Sequence, residues 1–255
     1  MVLVKGKKAI IFGIANDKSI AYGIAKRLKA EGAIIGLTFA GTALEKRVMP
    51  IAEELDAAFC VKCDVTNDKD LDKTFDKAAD RLGNLDILVH SIAFAPQDDL
   101  KSRVVDVSRE GFQLAFDISA YSLIAMMKRA ENLMKGGGSV IAMTYYGSQK
   151  VVINYNIMGV VKAALEAIVK YLAGELGVVN IRINAISAGP IRTLASSGIS
   201  GFKTLSSNFL EKTPLRCNIT QDDVADAALF LSSDLSSKIT GEVLFVDGGY
   251  NILGS

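Results

Sequence analysis

Tyr155 and Lys162 stand seven residues apart in the run Tyr155-Asn-Ile-Met-Gly-Val-Val-Lys162. In a helix of 3.6 residues per turn that spacing is almost two turns, so both side chains share one face, about 10 Å apart along the axis. A phenol and an ammonium on one face can line a cleft and do proton work there. The residues that follow keep a helical period of apolar side chains, at Met158, Val161, Leu165, Ile168 and Leu172. A second pair, Tyr146 and Lys150, is four residues apart. It runs into Val151-Val152-Ile153, a β-branched stretch poorly suited to open a helix. Tyr145 ends the preceding apolar run, where it either faces the same space as Tyr155 or only packs.

These residues must be carried by something, and the rest of the chain supplies it. Short apolar runs at 9–12, 34–39, 59–62, 86–90, 139–143, 181–186 and 242–246 read as seven strands. Amphipathic stretches near 19–30, 44–55, 68–82, 108–134, 155–176, 202–211 and 221–231 read as helices. The strands are continuous rather than alternating in hydrophobicity, as expected when both faces of a parallel sheet are covered. No linker, repeat or low-complexity segment interrupts the pattern. The expected fold is α/β: one doubly wound Rossmann-type domain over residues 1–255, with a seven-stranded parallel sheet and helices on both faces. A ligand then sits at the carboxyl ends of the strands, near the topological switch point. The segments 93–103 and 188–208 read as long and irregular. Both leave the carboxyl end of a strand, so they are the places for a lid, expected at about 193–212.

The first strand runs into Gly13-Ile-Ala-Asn-Asp-Lys-Ser19-Ile20-Ala21-Tyr-Gly23. This is not the G-x-G-x-x-G pattern, yet a glycine stands where the chain must turn tightly. Ser19 can cap the helix and offer a hydroxyl to a phosphate. A plain glycine turn with a serine cap explains the same residues. Asp64, followed by Val65, borders the adenine of a dinucleotide in such folds, or simply opens a turn before Thr66-Asn67-Asp68. Strand two ends Thr38-Phe39-Ala40-Gly41-Thr42. It has no carboxylate for a ribose 2′-hydroxyl and no cation at 40–43 for a 2′-phosphate; Lys46 and Arg47 lie further on. The missing phosphate clamp favours NADH, with NADPH as the alternative.

Bulk composition removes other classes. The 255 residues carry 29 Lys and Arg against 28 Asp and Glu, which leaves no basic footprint for nucleic acid or an anionic membrane. The N-terminus lacks a secretory core, and no apolar stretch reaches ~18 residues without a charge. A soluble, cytoplasmic protein with no membrane insertion is expected. Cys60-Val-Lys-Cys63 has C-x-x-C spacing but lies along a strand rather than at a helix N-terminus, so it reads as structural. With one histidine in the chain, His90, a zinc site is not expected, and His90 itself reads as a core residue at the end of strand four.

Taken together, the motifs resemble the enoyl-[acyl-carrier-protein] reductases of the short-chain dehydrogenase/reductase superfamily. The resemblance rests on Gly13…Ser19-Ile20-Ala21, Cys63-Asp64-Val65, His90-Ser91-Ile92-Ala93-Phe94-Ala95, Tyr145, the Tyr155-x6-Lys162 pair and Asn184-Ala-Ile-Ser-Ala-Gly-Pro-Ile-Arg-Thr-Leu-Ala195. It implies hydride transfer from a nicotinamide cofactor to C3 of a trans-2-enoyl thioester. Tyr155 would stabilise the developing enolate oxygen, Lys162 would hold the nicotinamide ribose, and Tyr145 would orient the substrate. Gly13, Ser19, Ile20, Asp64, Val65, Ser91, Ile92, Ala93, Ile191 and Thr193 would contact the cofactor. Ala95, Met158, Ile199 and Phe202 would join Tyr145 and Tyr155 around the acyl chain. Acyl carrier protein would deliver the substrate, and the family suggests a homotetramer. Two departures stand out: Ala40 at the end of strand two, and a single lysine, Lys203, in the segment 199–204.

Overall fold

The computed structural model describes residues 2–194 and 202–254, with the backbone alone for 202–206. Seven strands form one sheet: β1 (Lys8–Phe12), β2 (Ile34–Phe39), β3 (Phe59–Lys62), β4 (Ile87–His90), β5 (Gly138–Thr144), β6 (Ile181–Ala188) and β7 (Val243–Val246). Their order is β3-β2-β1-β4-β5-β6-β7, and every pairing is parallel. The chain therefore winds outward from β1 to β3, returns to lay β4 on the other side of β1, and continues to β7. The reversal opens a crevice between the carboxyl ends of β1 and β4, where ligands of such sheets bind.

The apolar runs divide by parity. Ile10 and Phe12 of β1, with Val140 and Ala142 of β5, join one core cluster, whereas Ala9, Ile11, Ile141 and Met143 join the other. Successive side chains of a strand point to opposite faces, so a continuous apolar run fills both layers. Helices α1 (Ile20–Ala30), α2 (Thr42–Glu54) and α9 (Gln221–Ser232) cover one face. Helices α3 (Asp68–Leu82), α6 (Ser122–Ala130) and α7 (Asn156–Leu176) cover the other. Each fully buried Ile, Leu or Phe in these layers contributes about 1.5–3 kcal/mol of transfer free energy. The same parity separates the cysteines: Cys60 packs against the α1 side and Cys63 against the α3 side. They cannot meet across the strand, and burial pushes both thiols up to about 11, which keeps them protonated and unreactive.

Two elements differ from the sequence reading. The helix expected over 108–134 is α5 (Arg109–Phe116), a π-helical turn (Asp117–Tyr121), α6 and a short 3₁₀ turn. The widened turn comes from hydroxyl contacts made to a distant loop, described below, which periodicity does not encode. The stretch 93–103 contains a one-turn helix, α4 (Gln97–Lys101), opened after Pro96. Helix α8 (Phe202–Lys212) forms where a helix is expected.

Candidate active site

Tyr155 is not inside α7 but is the residue that precedes it, with φ −90° and ψ −23°. Its neighbours Asn154 and Asn156 both have left-handed backbones, φ 68° and 40°. Asparagine tolerates that region better than other side chains except glycine, and single αL residues on both sides fix the approach of the phenol. The amide of Asn156 donates to the carbonyls of Leu100 (3.0 Å) and Ser102 (2.8 Å) and so ties α4 to the start of α7. Tyr155 itself keeps a right-handed helical conformation, and Lys162 follows on the second turn of α7. The single-helix picture from the sequence is corrected only at its first residue.

The Tyr155 ring is 9% exposed and meets Tyr145 edge-on, with centroids 4.8 Å apart and planes at 72°. Beneath it lies Gly147, where a Cβ would stand 2.4 Å from Tyr155 Cδ1. Burial raises both phenols, Tyr145 up to about 12, so each stays a hydrogen-bond donor at neutral pH. Met158, one turn on, is also buried, yet Tyr155 and Met158 belong to neither core cluster.

Lys162 is 4% exposed. Its ammonium donates to the carbonyl of Met143 at 2.7 Å, and to that of Ile92 at 3.4 Å. The third N–H remains available to a ligand. Burial pulls its pKa down to about 8, while the Glu166 carboxylate pushes it back up. The side chain is therefore charged at pH 7 but poised to lose its proton in mild alkali. His90 lies fully buried behind it and is held neutral, at about 3, by burial and by the Lys162 charge. Its Nε2 is 2.8 Å from Ser122 Oγ, and that hydroxyl donates to Ile118 O. The proton consequently belongs on Nε2, and Nδ1 is left without a partner. The core reading of His90 stands.

The loop leaving β4 passes against the first βα turn. Gly13 has φ +101°, and a Cβ there would come within 2.0 Å of Ser91 O. Only glycine lets the first βα turn pass this closely, which brings Gly13, Ser91 and Ile92 together at the switch point. Further along, Ser119 Oγ in the π turn engages both backbone groups of Phe94, accepting from its N–H (2.9 Å) and donating to its carbonyl (3.0 Å). That contact explains the π turn and holds the segment containing Ala93 and Ala95. Ala95 packs against the core, while Ala93 is exposed.

The remaining expected cofactor contacts are looser. Ser19 is the N-cap of α1, but its hydroxyl does not cap the helix; it donates to Asn16 O at 2.6 Å. The local turn satisfies the hydroxyl and leaves the amides of the first turn, beginning at Ile20, free of any side-chain cap, a ready anion site. Asp64 is exposed and accepts from Thr66 N (3.0 Å) and Thr66 Oγ1 (2.8 Å) through one oxygen. The turn reading of Asp64 is realised. Val65 is buried in the core cluster next to it. Ile191 and Thr193 are half-buried after β6. Ile199 and the side chain of Phe202 lie outside the described residues. Ala40 is exposed at the end of β2, with Lys46 and Arg47 on the surface of α2.

Sequence reasoning missed Ser119, Ser122, Asn156, Gly147 and Glu166. Only Gly147 and the paired asparagines carried any signal, as residues suited to tight backbone. Comparison with known proteins places the whole chain. A family model described as Enoyl-(Acyl carrier protein) reductase matches residues 13–251. The enoyl-[acyl-carrier-protein] reductase [NADH] of Rickettsia prowazekii is 51% identical over 253 residues, which is 99% of this chain and 97% of the relative. The crystal structure of the Anaplasma phagocytophilum reductase in complex with NAD superposes with a TM-score of 0.95 at 49% identity, covering 100% of this chain and 97% of that one. The Bacillus cereus reductase, solved with NADP+ and indole naphthyridinone, gives 0.97 at 47% identity with both chains fully covered. A match of this extent, over a sheet of the same order and a crevice built at its switch point, means that the chain belongs to the enoyl-(acyl carrier protein) reductase family.

Proposed function

We propose that the buried Tyr155–Lys162 pair carries the family's reaction, reduction of the C2–C3 double bond of a trans-2-enoyl-acyl-carrier-protein in fatty acid elongation. The chain's residues fit a dinucleotide. Gly13 opens the close passage to Ser91, the first turn of α1 presents uncapped amides, and Lys162 keeps one N–H unused. When bound, NADH supplies the hydride that C3 receives. Lys162 would hold the nicotinamide ribose, with Gly13, Ile20, Ser91, Ile92, Ile191 and Thr193 around the rest. Ser19 would contribute its backbone and Asp64 its exposed carboxylate.

As hydride arrives, negative charge grows on the thioester oxygen. Tyr155 donates a hydrogen bond to that oxygen, and its raised pKa keeps the proton in place for the task. The Lys162 charge favours the anion in a site where burial weakens screening. Tyr145, edge-on to Tyr155, orients the acyl thioester, and Met158 and Ala95 line its path. NADH is the preferred cofactor, because no cation stands at the end of β2.

Residues 1–255 act as one domain in this reading, with 193–212 as the lid. Acyl carrier protein presents the substrate in the cytoplasm. No helix among the described residues is long and apolar enough to cross a membrane. Phe112, Leu114, Tyr121, Ile124 and Val160, exposed on α5, the π turn, α6 and α7, support assembly into a homotetramer.

The observation that carries this reading is a tyrosine and a lysine both desolvated at one strand end. The test is cofactor oxidation, with NADH and NADPH in parallel, each offered a trans-2-enoyl and a 3-ketoacyl thioester. Turnover of the enoyl substrate alone, faster with NADH, is expected. Turnover of the ketoacyl substrate alone would mean a carbonyl reductase, and no turnover would mean a cofactor-binding sensor.

A further inference from the structure

Glu166 lies on α7, one helical turn beyond Lys162, and is 6% exposed. Burying a carboxylate costs several kcal/mol unless hydrogen bonds replace its water. Three side chains do so. Thr144 Oγ1 donates at 2.8 Å, Ser148 Oγ donates to the same oxygen, and Gln149 Nε2 reaches the other at 3.3 Å. All three donors come from the end of β5 and the turn after it, the segment that contains Tyr145 and Gly147.

We propose that Glu166 is a positioning residue for the reduction: its carboxylate clamps the 144–149 turn onto α7 and keeps a negative charge beside Lys162. The proposal rests on the Tyr155–Lys162 reading above.

The clamp has a direct path to the phenols. Tyr145 begins the clamped turn and supports Tyr155 edge-on. Gly147 sits against the Tyr155 ring, and a Cβ at Gly159 of α7 would stand 2.7 Å from Gly147 O, so turn and helix are in contact there too. If the turn lifts, Tyr155 loses both its backing and its partner ring. A displacement of about 1 Å at a reacting group costs on the order of 100-fold in rate.

The choice of an acid carries further information. A glutamine could accept from Thr144 and Ser148 through its carbonyl, and Gln149 could turn its own amide to match. The contacts alone do not call for a charge. Lys162 does: the groups around it are the neutral His90 on β4, the carbonyls of Met143 and Ile92, and Glu166 as the anion on its own helix. Glu166 thus offsets part of the burial that drives the lysine toward its neutral form.

Glu166→Gln and Glu166→Ala, with Tyr155→Phe alongside, separate these effects. The measurements are kcat, both KM values and the pH profile of kcat/KM from pH 6 to 9.5. At pH 6.5, where Lys162 stays charged, Glu166→Ala should lose on the order of 10- to 100-fold in kcat with the NADH KM nearly constant. Glu166→Gln should keep most of kcat at pH 6.5, while its alkaline limb moves about one pH unit lower as Lys162 loses its neighbouring charge. A Glu166→Gln profile superimposable on the parent would overturn the proposal, as would an unchanged kcat in folded Glu166→Ala. If Glu166→Ala does not fold, the Glu166→Gln profile decides. Full activity in Tyr155→Phe would remove the underlying reading and this proposal with it. An inactive Tyr155→Phe beside a parent-like Glu166→Gln removes the proposal alone.

Discussion

The two tyrosine–lysine pairs of this chain lie on either side of one short turn, and they have opposite environments. Tyr155 and Lys162 are buried, with the ammonium held by two backbone carbonyls and the phenol backed by Tyr145 and Gly147. Lys150 is exposed. Tyr146 is half-buried and joins an aromatic column, edge-on to Tyr250 at 5.7 Å, which in turn lies 5.0 Å from Phe209 of α8. One pair is desolvated; the other links the turn to α8. Along the chain the helical period after Tyr155 already favours that pair, and the β-branched run after Lys150 disfavours the other. What separates them is the cost of burying polar groups, which a fold sustains where a ligand or a reaction uses them.

The sharpest way to break this comparison is to remove each phenol. Tyr155→Phe should lose on the order of 100- to 1000-fold in kcat, the usual effect of deleting a donor to a developing oxyanion. Equal losses in Tyr146→Phe would erase the distinction. Next comes stability. Lys162 is pulled from its ordinary 10.5 to about 8 in the folded chain. Between those values the unfolded chain retains a proton that the folded chain has released, so this group makes stability rise with pH. Below about 8 both forms are charged, and the full burial cost, on the order of 3 kcal/mol, is present. Denaturant unfolding from pH 7.5 to 10.5 should therefore show the parent gaining on Lys162→Met as pH rises. A constant difference between the two would contradict the buried charge. Activity should fall over the same range, because the ribose and the anion both need the ammonium.

A smaller loss is expected from Gly147→Ala. The added Cβ would press on both Tyr155 and Tyr145 and displace the rings without deleting them. About tenfold in kcat is expected, with the far-ultraviolet circular dichroism unchanged. Parent-like rates would show that the turn yields without moving the phenol. At the bottom of the scale, Lys150→Ala should leave kcat and both KM values within about twofold, as exposed substitutions usually do. Lys162→Ala, by contrast, should weaken NADH binding in a direct titration.

Much of this molecule was legible along the chain. Seven apolar runs predicted seven strands, since a parallel sheet covered on both faces leaves no polar alternation. Gly13 marked the first βα turn, and the period after Tyr155 marked the long helix that carries Lys162, because helical period and turn geometry are local properties. The missed features are all contacts between distant segments. Within the π turn at Asp117–Tyr121, Ser119 reaches Phe94, and beside Tyr155, which stands just outside the long helix, Asn156 reaches Leu100 and Ser102. Sequence alone determined which side chains could do the chemistry and which elements would hold them. Tertiary structure alone decided which tyrosine is desolvated, where Lys162 finds its carbonyls, and why a carboxylate is buried behind it. Those outcomes depend on the order in which strands pack and on the price of removing polar groups from water, and neither is written in the spacing of residues along a chain.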